Sequence, residues 1–509
     1  MTNRRIQPRR RYIKRRTIKF EISIKNFGPI SSAKVRIKPL TIFIGPNNSG
    51  KSYAAMLIHS IIESHLHLSR WLAYPPFYVR DMYLIELEAN TKQLRKEISN
   101  LENQIWTLKP NEELKVSKDL IDTIYCRIFE EIYERNLRDE IVRSFACPLR
   151  ELVKIRKRSF SIDIVFNSYV TQVEYKRKRL MIKKYPDFHI PIIIKATEKI
   201  RGLKMRKERK RIVIEIGIPE ARKKRGKEFY TSEVIGLIFE ICVSQILETI
   251  AMPCYYLPAA RSGILQGHKA LAASIVRKAP SVGIERIEIP KFSGVVADFI
   301  SSVITMPEEK SSFYRLAQDF ERELINGEIV VRTLDEYLYP EIKYSFENTE
   351  IPLHRSSSTV SELAPLFLYL KYNVEPGNIL IIEEPEAHLH PENQRILAKL
   401  LVRLIRKGVI ILITTHSEYL LEQLNSFILL SQVEANKRVK EYKYNKEDFL
   451  KPQEVAAYVF NYDKKSGGHK TSKVKITGEE GISEQEFLRI HEALYEETIR
   501  LRRDLSVKT

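Results

Sequence analysis

Gly45-Pro46-Asn47-Asn48-Ser49-Gly50-Lys51-Ser52 follows the pattern G-x-x-x-x-G-K-S/T, in which two glycines bracket a loop that a lysine and a hydroxyl close. Upstream, Leu40-Thr41-Ile42-Phe43-Ile44 reads as a buried strand, and downstream Ser52 to about Leu72 reads as a helix. Strand, loop and helix thus come in the order that a phosphate cradle requires. The glycines let the backbone turn its N–H groups inward at a β-phosphate, and the helix start adds the positive end of its dipole. Gly45, Pro46, Asn47, Asn48, Ser49 and Gly50 would wrap the phosphates of a nucleotide. Lys51 would reach the β- and γ-phosphates and the Ser52 hydroxyl would hold Mg2+.

A second set of residues fits the same chemistry. Asn378-Ile379-Leu380-Ile381-Ile382-Glu383-Glu384-Pro385-Glu386 is an unbroken apolar strand ending in carboxylates, as expected of a central parallel strand whose carboxyl end faces a ligand. Glu383 is assigned to the hydrated Mg2+ and Glu384 to the attacking water. Val409-Ile410-Ile411-Leu412-Ile413-Thr414-Thr415-His416-Ser417 repeats the design, and His416 could hydrogen-bond a γ-phosphate. His354-Arg355-Ser356-Ser357-Ser358-Thr359 opens an apolar helix with hydroxyls and free N–H groups, which is either an anion site or a well-capped helix start. These assignments require the lysine and the twin acids to meet on neighbouring strands of one sheet.

At 509 residues and 43% hydrophobic the chain has room for several domains. Its longest apolar runs fall far short of the roughly eighteen residues of a membrane span. The net charge of +21 favours a polyanionic partner, DNA or RNA first. The basic start, from Arg4 to Lys19 without an acid, is a solvated tail or a phosphate-binding arm. No apolar signal region follows it, so a cytoplasmic location is expected. Cys126, Cys147, Cys242 and Cys254 are scattered, which points to neither a zinc site nor a disulfide framework.

Along the chain, residues 17–44 alternate like a short β meander. From Asp81 to Leu152 the pattern is helical, and Leu87, Leu94, Ile98, Leu101, Ile105 and Leu108 fit either a short coiled-coil hairpin or an amphipathic core helix. Strands are predicted at Ser159 to Phe166, Val170 to Met181, Ile190 to Lys195 and Arg211 to Ile216. The basic run from Arg201 to Arg211 would form a hairpin tip that touches phosphate or is simply solvated. Helices are expected near Ser232 to Ile250 and Gly294 to Met306. In Tyr255-Tyr256-Leu257-Pro258-Ala259-Ala260-Arg261 a strand runs into an arginine, either ligand-facing or a structural ion pair.

The blocks F-x-I-x-I-x-N-F-G-P-I, G-P-N-N-S-G-K-S, Y-Y-L-P-A-A-R-S-G, S-S-S-T-V-S-E-L-A-P-L, I-I-E-E-P-E-A-H-L-H-P and I-T-T-H-S-E-Y-L-L-E-Q-L-N, in this order, resemble the ATP-binding-cassette (ABC) type of P-loop ATPase. That branch is shared by SMC and DNA-repair ATPases and by overcoming-lysogenisation-defect nucleases, and the chain looks closest to the stand-alone prokaryotic AAA family ATPases. The resemblance covers about residues 17–75 and 250–430. It implies an α/β fold, an ABC-type P-loop NTPase head with a mixed β sheet plus an α+β insert, using ATP and Mg2+. Domains follow at 1–16 (basic flexible tail), 17–78 (N-terminal ATPase lobe), 79–252 (helical and β-hairpin insert), 253–430 (C-terminal ATPase lobe) and 431–509 (C-terminal β/α extension).

By the same resemblance Ser357 and Ser358 stand at the signature serine, His416 is the switch histidine, and residues 386–390 form the D-loop. In such ATPases the signature of one subunit completes the γ-phosphate site of the other, which implies a homodimer joined by ATP. Glu383 stands where the family has Asp, His390 replaces an Asp of transporters and SMC proteins, and the signature lacks Gly-Gly. The chain between Lys51 and Glu384 is too short for SMC arms, and no D-x-D cluster follows His416 for nuclease metals. The implied function is an ATPase acting on nucleic acid or an effector protein in DNA maintenance or defence. Alternatives are a nucleotide-gated scaffold with little hydrolysis and a transporter nucleotide-binding subunit.

Overall fold

Alternating residues make β1 (Phe20–Phe27) and β2 (Ile30–Ile37), whereas every residue of β3 (Leu40–Ile44) is buried. A strand buried on both faces belongs in the middle of a sheet. Helix α1 (Lys51–Ala73) follows the glycine-bracketed loop. The computed structural model describes residues 19–73, 92–167, 169–185, 188, 190–198, 200, 202–208, 211–217, 227–247, 252–267, 292–333, 340–347, 349–483 and 499. The basic tail at 1–16 lies outside these residues. The chain forms two units, one of residues 1–21, 29–56 and 254–509, the other of residues 22–28 and 57–253.

In the second unit α2 (Lys92–Thr107), α3 (Lys118–Arg127) and α4 (Glu134–Phe145) carry the helical pattern. Leu94, Leu101 and Ile105 bury one face of α2, the amphipathic of the two readings; Leu87 lies outside the described residues. The strands are β4 (Glu113–Lys115), β5 (Ser159–Phe166), β6 (Tyr169–Lys176), β7 (Arg179–Lys184), β8 (Ile192–Thr197), β9 (Leu203–Lys207) and β10 (Ile212–Gly217). They form the orders β1-β5-β6-β7 and β4-β8-β10-β9, and α5 (Lys227–Leu247) follows.

Two strand expectations need correction. The run from Val170 to Met181 is two strands, because the chain reverses at Arg177 and Lys178 with φ of 51° and 66°. Such a two-residue turn usually announces itself with Asn or Gly, and neither is present. The run from Arg201 to Arg211 is not all tip: its Leu203–Lys207 is β9, which pairs antiparallel with β10 along its length.

The first unit continues with β11 (Cys254–Leu257), α6 (Gly294–Ile304), α7 (Tyr314–Ile325), the meander β12 (Glu328–Thr333), β13 (Pro340–Phe346) and β14 (Thr349–Pro352), and α8 (Ser358–Tyr372). It closes with β15 (Ile379–Glu383), α9 (Pro391–Arg406), β16 (Ile410–Thr415), α10 (Glu418–Leu429), β17 (Val455–Asp463) and β18 (Gly468–Lys473). Leu363 and Phe367 of α8, Leu397 and Leu401 of α9 and Leu424 of α10 share a buried core with Ile42, Ile382 and Ile413 of the sheet. Each such side chain contributes about 1.5–3 kcal/mol by leaving water.

The strand order is β11-β15-β16-β3-β17-β18-β2. Strands β11, β15, β16, β3 and β17 run parallel and β18 antiparallel to β17. This is the α/β fold on a mixed sheet that the sequence predicts. Glu383 pairs with Thr414, and Ile44 pairs with both Thr415 and Val459. The phosphate loop, the acids and the T-T-H-S end therefore leave the sheet at one edge.

The arrangement differs from expectation in two ways. Strand β16 stands between β3 and β15, so the strands carrying the lysine and the acids are not neighbours, and the gap is two strand spacings, about 10 Å. Strands β17 and β18, read as part of a C-terminal extension, lie in this sheet, with β17 beside β3. Their pairing is with residues more than four hundred positions away, as between Val455 and Leu40, and no motif marks the run.

Candidate active site

The loop after β3 is shaped by its glycines. A Cβ on Gly45 (φ 146°) would lie 2.8 Å from the Phe460 carbonyl oxygen, and one on Gly50 (φ 99°) 2.8 Å from Ile30 Cγ1. Neither position accepts a side chain without displacing its neighbour. Lys51 is 5% exposed and its Nζ donates to the Gly45 and Pro46 carbonyls at 2.9 and 2.8 Å. The ammonium is thus held inside the loop. Burial lowers its pKa, while Glu384, Glu383 and Glu386 pull it back up. Ser52 sits exposed in the first turn of α1.

At the end of β15 the three acids have different surroundings. Glu383 is buried, and its Oε1 and Oε2 accept from the Tyr256 hydroxyl at 2.8 Å and the Ala259 N–H at 3.1 Å. Glu384 donates its N–H to the Thr414 carbonyl at 2.9 Å and has φ 43°. That left-handed conformation costs a non-glycine residue about 1–2 kcal/mol. Its Oε1 lies 3.5 Å from His416 Nε2. Glu386 Oε1 accepts from Thr415 Oγ1, His416 N and Ser417 N at 2.6, 2.9 and 3.2 Å, fixing the turn after β16.

The His416 side chain is 32% exposed, and its pKa is lowered first by desolvation and then by Lys51, against the pull of Glu384 and Glu386. The shift favours the neutral ring, which can donate a hydrogen bond without bringing a charge. Lys51, Glu383, Glu384, Glu386 and His416 form one electrostatic set at one sheet edge. A buried cation in a glycine-shaped loop at a helix start can hold phosphates, and the carboxylate oxygens suit the metal that accompanies them.

A family model described as an AAA ATPase domain matches residues 20–421. The chain belongs to that family. It is an ATP-binding P-loop protein, as the loop at 45–52 predicts. No curated protein matches it. Among solved structures, it is similar to the SmcHead bound to the C-winged helix domain of ScpA, at 11% identity over 90% of this chain and 98% of that one, with a TM-score of 0.37. It is similar also to the SMC head domain from Thermotoga maritima, at 12% identity over 91% and 100% of the two chains, TM-score 0.33.

In this AAA ATPase the serine-rich loop caps α8: Ser357 Oγ accepts from Val360 N at 3.4 Å, and Ser358 is the first helical residue. Among the described residues no hydrogen bond joins either serine to residues 45–52. Ser357 instead lines a cleft of about 350 Å³ with Ser356, Thr359 and Asn393. Thr359 Oγ1 donates to the His388 carbonyl at 3.2 Å, tying α8 to the turn after the acids. Among the described residues no group of three or more His, Cys, Asp or Glu is gathered for a metal, and no helix is long and apolar enough to cross a membrane.

Arg261, given two readings from the sequence, and Glu386, placed in the D-loop by resemblance, both belong to this framework. Arg261, 2% exposed, donates to the carbonyls of Glu362, Glu383 and Glu384 at 2.9, 2.8 and 3.2 Å and pairs with the Glu362 carboxylate at 3.3 Å. Of its two readings the buried ion pair is the one found. Glu386 was visible as the third acid of E-E-P-E, but its role in holding β16 was not.

Proposed function

We propose that this protein hydrolyses ATP with Mg2+ and that ATP joins two copies head to head. The supporting observation is the convergence of Lys51, Glu384 and His416 at one sheet edge, with Glu384 held 3.5 Å from His416. Gly45–Gly50 wrap the phosphates and Lys51 exchanges the loop carbonyls for phosphate oxygens. Ser52 and Glu383 are hard oxygen donors of the kind that suit Mg2+, and both fit as its holders. When bound, Mg2+ supplies charge neutralisation at the β/γ-phosphates.

Glu384 orients the attacking water and accepts its proton, and neutral His416 donates toward the γ-phosphate. Ser357 and Ser358 of one copy complete the γ-phosphate site of the other, in keeping with their lack of contact with their own loop. The protein is read as a cytoplasmic ATPase acting on nucleic acid or an effector protein in DNA maintenance or defence. Phosphate release by the native chain and by Glu384→Gln, with mass measured with and without ATP and Mg2+, tests this: hydrolysis should fall about 10²–10⁴-fold with binding retained. Equal rates would remove Glu384 from the mechanism.

A second reading, a nucleotide-gated scaffold with little turnover, draws on the two hydrogen bonds that occupy Glu383. Tyr256→Phe frees one of its oxygens. Turnover rising well above native would favour the scaffold.

A further inference from the structure

In the basic run that the sequence singled out between Arg201 and Arg211, both described arginines are already paired. Arg206 pairs with Glu215, and Arg211 with Glu208 and with Glu113 at 2.7 and 3.0 Å. An arginine already bidding for carboxylates has less to offer a phosphate. A different part of the second unit carries uncompensated charge.

The chain from Arg156 to Arg158 is entirely basic, and so is the β6–β7 turn from Lys176 to Arg179; every one of these residues is exposed. The sheet brings the two stretches together. Ser159 pairs with Lys176 across β5 and β6, and Lys176 pairs with Arg179 across β6 and β7, so Arg158, just before β5, lies beside the β6–β7 tip. Strands about 4.8 Å apart crowd these cations onto one apex. Among the described residues none of them forms an ion pair, while the nearby Glu174 and Glu151 are engaged by Lys183 and Arg150.

We infer that this apex is a docking surface for the phosphate backbone of duplex nucleic acid. The inference rests on the nucleic-acid half of the proposed function and gives it a place. Crowded like charges repel, and a polyanion relieves that repulsion while releasing its own counterions. Single-stranded ligands are held largely by aromatic stacking platforms. The large exposed side chain here is aliphatic, Ile155 at 84%, and Tyr175 is buried at 7%. Backbone contact without stacking suits a duplex, and no sequence preference is expected from it.

The turn geometry supplies a clean variant. Arg156, Arg177 and Lys178 have φ of 66°, 51° and 66°, which Asn and Gly adopt more readily than Arg or Lys. Arg156→Asn/Arg177→Asn/Lys178→Gly therefore removes three charges while suiting the backbone. Binding of a labelled 30-base-pair DNA duplex is followed by anisotropy, without nucleotide, from about 50 to 200 mM salt. A single strand, poly-glutamate and anionic phospholipid vesicles serve as competing arms.

The triple variant should bind duplex at least about tenfold more weakly at low salt, with a salt slope reduced by about 2–3. Arg206→Gln/Arg211→Gln should stay within about twofold of native. Equal losses in the two variants, or none in the triple variant, would overturn this surface and leave the nucleic-acid reading standing. A native chain that binds no duplex at low salt would end both, and tighter binding of poly-glutamate or vesicles would overturn the duplex assignment.

Discussion

Replacing Arg261 is the sharpest test of how this site is built. Its guanidinium is buried, with burial pulling its pKa down and Glu362 pulling it up, and it reaches three elements: the turn after β11, the acidic end of β15 and helix α8. Arg261→Met fills similar space but strands the Glu362 carboxylate, which is 2% exposed. Breaking a buried pair by removing one partner costs about 3–5 kcal/mol, and the carbonyls of Glu383 and Glu384 also lose their donor. Glu384 at φ 43° then has less to hold it in a conformation that is itself unfavourable.

Urea unfolding should therefore show Arg261→Met destabilised by about 3–5 kcal/mol. Arg261→Met/Glu362→Leu should recover much of that loss, because no uncompensated charge remains. Arg261→Lys keeps the charge without the fork, so it should retain most of the stability and ATP affinity while phosphate release falls. Destabilisation of Arg261→Met by less than about 1 kcal/mol, with native turnover in Arg261→Lys, would refute this account of the guanidinium.

Gly45→Ala places its methyl 2.8 Å from the Phe460 carbonyl and should abolish ATP binding, measured by calorimetry, even where circular dichroism shows the fold retained. Glu386→Gln leaves one oxygen to the three donors now on Oε1 but removes the acceptor's charge, so turnover should drop about tenfold or more with ATP affinity within a few-fold of native. The buried His65 ring, its Nδ1 2.6 Å from the Ile61 carbonyl, has its pKa lowered to about 4 by burial. Between pH 6.5 and 4 the unfolded chain binds the proton and the folded one does not, so acidification should remove about 3 kcal/mol from the second unit. His65→Gln should flatten that pH dependence in urea titrations; an unchanged slope would assign it elsewhere.

Much of this was legible because local chemistry and fold agree at β3, β15 and β16. Their apolar runs are unbroken, their polar ends carry the proposed functional groups, and glycines mark the left-handed backbone at 45 and 50. What escaped was decided by pairing between distant segments. Val455–Phe460 reads as any short apolar strand, and only its pairing with β3 puts Phe460 beneath Gly45. The reversal at Arg177 and Lys178 carries no turn residue. The position of β16 between β3 and β15 follows from topology, which composition does not reveal.

The same distinction explains why the acids could be named but their support could not. Glu384 is fixed from two sides: its N–H is held by Thr414 on β16, and its carbonyl by Arg261, which also grips α8 through Glu362. Thr359 adds a second link between α8 and the turn after β15. A shift of the serine-capped helix therefore pulls on the backbone of Glu384 through a guanidinium with little freedom to absorb it, since it is buried and bonded on every side. The serine loop and Glu384, the residue proposed to activate water, are in this sense one mechanical unit, and Arg261→Lys is the change that uncouples them while keeping the charge.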